Sequence, residues 1–157
     1  MSQYSATEQA NINAANSLFD GSCGDPATLF ADDATWWNGL PRLPGLEGQT
    51  EHKGIDTIKT ILYGAGQDKP GSGTDSYDLS TNRFTDLLVI ADGDYVMRQH
   101  TQHSKTNSGK DYKNVYCFVF RFNAEGKIYY LTEHWNTWYA NKILLDNWDL
   151  EAAHPLA

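Results

Sequence analysis

The chain has 157 residues and carries a formal net charge of −8, with five Trp, nine Tyr and six Phe. That length is most simply one domain with a real core, here taken as residues 1–157 with a core over about 8–140 and a tail over 141–157. An acidic chain without a basic stripe does not neutralise phosphates, so nucleic acid is excluded as a partner, and an anionic membrane surface with it.

In chain order, residues 5–19 read as a helix. Ser5 or Thr7 can cap it, and Ile12, Ala15, Leu18 and Phe19 form an apolar stripe at helical spacing. Residues 26–31 read as a short helical turn with Asp25 as N-cap and Pro26 at its first position. A short strand is expected over 34–38. The Pro- and Gly-rich stretch 39–48 cannot be regular structure. Ile55, Ile58, Ile61 and Leu62 mark a second helix between Gly54 and Gly64. Residues 64–73 are a Gly-rich loop, read either as a connector or as a mobile lid. Four strand-like stretches follow at 75–91, 94–104, 111–123 and 127–138, joined by turns at 92–93, 107–110 and 123–126. Residues 140–157 read as a short helical piece and a tail that covers a neighbouring surface or a subunit contact. The fold class expected is α+β: N-terminal helices on one face of a curved antiparallel sheet, together enclosing a conical pocket.

The stretch 94–104 alternates like a strand, so Arg98, His100 and Gln102 share one face. A fixed cation beside a group that titrates near neutrality is unusual inside a sheet and points to a site. The bland alternative puts Tyr95 and Met97 in the core and Arg98 and His100 in water. Glu133 stands mid-pattern in 127–138, where Leu131, Glu133 and Trp135 alternate with Tyr130, Thr132 and His134. If Arg98 and Glu133 share a pocket, the guanidinium favours the carboxylate and His100 is placed as a general acid or base. Trp36 and Asn38 share a strand face; Tyr112 and Tyr116 are further candidate donors, with core or interface packing as the role expected first for each. His100 and His103 lie on opposite strand faces, and no His, Asp, Glu or Cys spacing fits a metal set, so neither metal nor cofactor is expected. His52 and His154 read as solvated. Cys23 and Cys117 are expected to be reduced, with Cys117 buried. No basic-then-apolar leader and no apolar run of membrane-spanning length occurs, which fits a soluble cytoplasmic protein. Aromatic faces on the sheet and tail suggest a homodimer or larger homo-oligomer.

Three stretches carry a resemblance: Phe30-Ala31-Asp32-Asp33-Ala34, Gly54-Ile55-Asp56-Thr57-Ile58, and Gly126-Lys127-Ile128 with Glu133-His134-Trp135. In order and spacing they resemble the nuclear transport factor 2-like (NTF2-like) superfamily over about residues 8–140, nearest to its SnoaL-like and limonene-epoxide-hydrolase-like branches. The latter carry an aromatic-x-Asn on the first strand, an Arg-x-Asp on a middle strand and an Asp on the last. Trp36-Trp37-Asn38, Arg98-Gln99-His100 and Glu133 match these, with His100 in place of the water-activating Asp. The superfamily also holds ketosteroid isomerases, polyketide cyclases, dehydratases and cofactor-independent lyases of lignin-derived diaryl compounds. The resemblance implies a catalytic set of His100, Arg98 and Glu133, with Asn38, Trp36, Tyr116, Gln102 and Trp135 around an apolar aromatic substrate. The reaction expected first is C–C cleavage of a diarylpropane diol with release of formaldehyde, His100 taking the proton. An epoxide hydrolase, a cyclase or isomerase, and a non-catalytic binding module are the alternatives.

Overall fold

The computed structural model describes residues 3–39, 50–65 and 75–144. Most of the 39–48 stretch, most of the 64–73 loop and the tail beyond 144, including His154, lie outside these residues. Helix α1 spans Ala6–Asp20 and is opened by a capping box: Ser5 Oγ accepts from Glu8 N, and Glu8 accepts from Ser5 N. It closes on Gly21 in the left-handed conformation, φ 73°. A 3-10 turn, Pro26–Leu29, follows with Asp25 accepting from Ala27 N. Strand β1 covers Phe30–Trp37, β2 Glu51–Lys53, helix α2 Ile55–Gly64, and strands β3 to β6 cover Tyr77–Asp92, Tyr95–Thr106, Asp111–Phe122 and Ile128–Trp135. Helix α3, Thr137–Leu144, ends the described chain.

The six strands form one curved, unclosed sheet in the order β2-β1-β6-β5-β4-β3. The long stretches fall where alternation puts them. Strand β1 is longer than expected and begins four residues earlier, at Phe30. The strand expected over 127–138 stops at Trp135, because Thr137 and Trp138 enter α3. Two features were not anticipated. Residues 51–53 pair with β1 as a strand, so His52 is half-buried there rather than solvated. And β1 runs parallel to β6, so the sheet is antiparallel at every pair but this one. The parallel pairing places Trp36 beside Leu131 and Trp37 beside Thr132.

Alternation along β4 and β5 sorts the two faces. Val96, Arg98, His100, Gln102 and Ser104 are buried on β4, as are Tyr112, Asn114, Tyr116, Phe118, Phe120 and Phe122 on β5. Tyr95 and Val115 face out and are exposed; Cys117 also faces out and is half-buried rather than buried. Helix α1 covers the inner face: Phe19 meets Phe84, His100 and Phe118 at ring-centroid distances of 5.8, 4.9 and 4.9 Å. Along β5 the rings of Tyr116, Phe118, Phe120 and Phe122 stack in succession at 5.8, 6.1 and 6.4 Å. Among the described residues no helix is long and apolar enough to cross a membrane.

Phe120 is fully buried at the centre of this ladder. Phe120→Ala leaves a cavity that the flanking strands cannot close, at a cost of about 3–5 kcal/mol. Chemical denaturation is expected to show that loss; a midpoint within error of the parent would mean the ladder is not the core.

Candidate active site

The inner-face residues lie in rungs across the strands. Arg98 on β4 faces Phe118 on β5, which faces Glu133 on β6. The next rung is His100, Tyr116 and Trp135. The structure therefore gathers Arg98, His100, Gln102, Tyr116, Glu133 and Trp135 on one covered face. Two inter-strand steps separate Arg98 from Glu133, about 10 Å between Cα atoms, with Phe118 between them.

That separation decides the electrostatics. Arg98 does not meet Glu133. Its Nε–H donates to His100 Nδ1 at 3.2 Å, its Nη1 donates to Asn16 Oδ1 on α1, and its guanidinium carbon stands 4.5 Å from the Phe19 ring centroid. His100 is 1% exposed. Its ring lies edge-on to Phe19 and Phe84 and stacks beside Tyr116 and Phe118. Burial, reinforced by the Arg98 charge, pulls the imidazole down to about 4, so it is neutral near pH 7. Because Nδ1 accepts from Arg98, the proton of the neutral ring sits on Nε2. Nε2 is sealed, without a hydrogen-bond partner among the described residues. The ring has no free basic nitrogen to offer a substrate in this arrangement.

Glu133 is the contrasting case. Its Oε2 accepts from Trp36 Nε1 at 3.0 Å, across the β1–β6 pairing. Burial pushes its carboxyl up to about 7, against the pull of that hydrogen bond. Unlike Arg98, His100 and Tyr116, the residue keeps accessible surface. The carboxyl is thus crowded by protein, although the residue as a whole is only half-buried. Trp135 flanks it, stacked on Tyr116 at 5.7 Å, its indole N–H donating to Asn38 O at 2.7 Å. Gly39 permits that close approach: at φ 79°, a Cβ there would lie 2.6 Å from Glu133 O and 2.7 Å from Trp135 Nε1.

The other expected residues have local partners. Asn38 lies past the end of β1, and its Nδ2 donates to His52 Nε2 at 3.3 Å. Gln102 is buried and donates to Ser104 Oγ at 3.3 Å. Three residues that sequence reasoning passed over belong to the site: Asn16 and Phe19 on α1, which hold Arg98 and cover His100, and Tyr77 at the start of β3. The Tyr77 hydroxyl is 3.0 Å from that of Tyr116; burial first and then the neighbouring Tyr112 raise its pKa, and the Glu133 charge adds the smallest contribution. Asn16 had a signal: it falls four residues after Ile12 and three before Phe19, on the buried stripe. Among the described residues no three His, Cys, Asp or Glu side chains cluster as a metal site.

The pH dependence of stability follows from two opposed groups. Glu133 holds its proton more tightly in the fold, so its contribution is full below about 4.5 and is lost as pH rises through about 7. His100 resists protonation, so its contribution is full above about 6.5 and is lost as pH falls through about 4. Glu133→Gln keeps an acceptor for the Trp36 indole and removes only the first dependence. Melting temperatures of parent and variant are expected to diverge in the variant's favour between about pH 4.5 and 7. Parallel curves would mean that the carboxyl titrates normally in the fold.

No family model and no curated protein matches the sequence. Solved structures do. An NTF2-like protein of unknown function from Burkholderia pseudomallei has 13% identity and a TM-score of 0.64, over 86% of this chain and 97% of its own. A proposed isomerase from Bacillus subtilis has 14% identity and a TM-score of 0.64, over 88% and 95%. A proposed polyketide cyclase from Pseudomonas putida has 13% identity and a TM-score of 0.64, over 90% and 99%. The fold of this chain, a curved six-stranded sheet backed by helices and lined inside by Glu133, Arg98 and His100, is the NTF2-like fold.

Proposed function

We propose that this chain is a cofactor-independent enzyme that moves a proton on a small, apolar, aromatic molecule, with Glu133 as the acid/base group. The observation that carries this reading is a half-buried glutamate whose carboxyl is held by one indole N–H and balanced near neutrality by its own burial. A group with a pKa near the working pH can both take a proton and return it, an effect worth roughly 10²–10⁴-fold. Trp36, Trp135, Tyr77, Tyr116 and Phe118 surround it with flat apolar surface, which suits an aromatic substrate.

The base role expected of His100 passes to Glu133. Arg98 and His100 then act as a buried brace beneath Phe19 and Phe118, and Arg98 is a positioning residue rather than a counter-ion for the carboxylate.

The reaction we favour is cleavage of a diarylpropane 1,3-diol. The Glu133 carboxylate takes the proton of the primary hydroxyl. The C–O bond becomes C=O as the adjacent C–C bond breaks, releasing formaldehyde. The electron pair of that bond forms the new C=C as the benzylic C–O bond breaks. Glu133 returns the same proton to the departing hydroxide, so a stilbene and water complete the balance. One shuttling carboxyl suffices for these steps. It suffices equally for a carbonyl isomerase or cyclase, in which the proton comes from a carbon beside C=O and returns elsewhere; two of the structural neighbours are named for such activities.

Incubation with diaryl 1,3-diols, aromatic ketones and epoxides, with formaldehyde assay and product NMR, separates these readings: formaldehyde with a stilbene, an isomerised or ring-closed product, or a diol from an epoxide. In any of the first two, turnover is expected to rise as pH increases through about 7, and Glu133→Gln to lower it roughly 10²–10⁴-fold. Undiminished turnover in that variant sinks the role of Glu133, and binding without turnover in any assay leaves a binding module.

A further inference from the structure

One rung of the outer sheet face carries three basic residues abreast. Arg83 on β3 stands opposite His103 on β4, which stands opposite Lys113 on β5. Alternation turns them away from the helices, because the adjacent rung of Phe84, Gln102 and Asn114 is an inner one, where Phe84 meets the rings of Phe19 and His100. Arg83 and Lys113 are exposed, and His103 is half-buried between them. Like charges directly opposite one another destabilise a sheet. In a chain of net charge −8 acidic partners are plentiful. Two residues further along β4 the ordinary solution is seen: Lys105 faces Asp111 and closes an ion pair at 2.6 Å. Among the described residues, neither the Arg83 guanidinium nor the Lys113 ammonium closes such a pair.

One carboxylate lies close by, and it is already engaged. Asp86, at φ 56° on β3, accepts from the Thr101 side chain and from Thr85 Oγ1 at 2.9 Å, bonds that hold its carboxyl below the usual range. The single Thr85 proton goes to that carboxylate. The 2.9 Å contact between Thr85 Oγ1 and His103 Nε2 is then made by the imidazole N–H, so Nε2 carries the ring proton and Nδ1 is the atom that titrates. Desolvation first, then the charges of Arg83 and Lys113, hold the ring below its ordinary range, against the pull of Asp86. With His103 neutral, two fixed cations stand against one carboxylate and leave a surplus of one positive charge. Proton uptake at Nδ1 doubles that surplus.

We propose that the rung of Arg83, His103 and Lys113 binds a small dianion of the phosphate or sulfate type, either free or as the end group of a small organic ester. Arg83 and Lys113 hold its oxygens from the two sides by charge-assisted hydrogen bonds. His103 takes up a proton at Nδ1 as the anion arrives, so the doubled surplus matches the ligand's two negative charges. The bound anion also relieves the repulsion along the rung. This is a point site: three residues set across the strands cannot follow the run of phosphates on a polymer. It lies on the opposite face of the sheet from Glu133 and does not rest on the reading of that residue.

The test is a binding measurement on the full chain. Sulfate is the probe, because it stays dianionic throughout the range in which histidine titrates. Chloride at matched ionic strength is the control for simple screening. Imidazole proton resonances are followed by NMR, with His103 assigned as the signal lost in His103→Gln. Sulfate is expected to move that signal saturably and to raise the pKa of His103, and chloride to do neither. Arg83→Gln and Lys113→Gln are each expected to weaken sulfate binding about 3- to 10-fold, a modest loss for charge-assisted bonds because both side chains are exposed. Affinity in the parent should fall as pH rises through the His103 titration, and His103→Gln should lose that dependence. Phenyl phosphate set against inorganic phosphate at one pH tells the two sources apart: tighter binding of the ester marks an organic ligand, equal binding a free ion. Circular dichroism establishes that each variant is folded. Equal responses to sulfate and chloride overturn the site, as does an affinity unchanged in both Arg83→Gln and Lys113→Gln. A sulfate affinity indifferent to pH overturns the part given to His103.

Discussion

The spacing of β5 governs the chemistry of the inner face. Because every second residue of that strand is aromatic or amide, it lays an apolar wall between β4 and β6. Phe118 stands on the rung between Arg98 and Glu133. Without that wall, a guanidinium and a carboxyl on neighbouring strands would pair, and the pair would hold the carboxyl ionised well below neutrality. With it, each ionisable group settles with what its own neighbourhood offers. Arg98 finds an imidazole nitrogen, an amide oxygen and an aromatic face. Glu133 finds one indole N–H and little else, and its proton stays on until about pH 7. A one-residue slip of β5 would exchange the wall for Val115, Cys117 and Val119 and put the aromatic ladder in water.

Much of this face was legible in the sequence, because a strand's alternation is a hard geometric rule. Once Arg98 is inside, His100 and Gln102 must be, and Glu133 must share its face with Leu131 and Trp135. What alternation cannot give is the order of strands. That Arg98 and Glu133 point the same way was readable; that a phenylalanine lies between them was not, and the expected charge pairing rested on nearness alone. The Trp36–Glu133 bond joins residues 97 apart through a parallel pairing that no hairpin signal announces. The helix faces were half legible: Phe19 was on the apolar stripe, but an apolar periodicity does not pick out a polar Asn16 lying on it.

Tyr77 was hidden for a different reason. Parity can be carried along a strand only while the ladder is regular, and β3 breaks register twice, between Asp78 and Arg83 and between Thr85 and Leu88. Val89 faces Arg98 inside, yet counting back by twos from Val89 does not safely reach Tyr77. The bulges include Asp86 at φ 56°, a conformation that costs a non-glycine residue energy and that bends the strand. They curve the sheet edge and bring Tyr77 over towards Tyr116 and the Glu133 side of the face.

Where the resemblance to limonene-epoxide-hydrolase-like enzymes would put an aspartate, this chain has His100, and the difference matters for charge. An aspartate at that position would neutralise Arg98 and compete with Glu133 for protons, giving two coupled carboxyls whose ionisation depends on each other. A neutral imidazole leaves one positive charge, spread over Asn16, Asp20 and the Phe19 ring, and one titrating carboxyl. A site with a single proton acceptor, insulated from its nearest cation, suits reactions in which the proton taken is the proton given back. Activating a water for addition places different demands, since the water must be held and oriented as well as deprotonated.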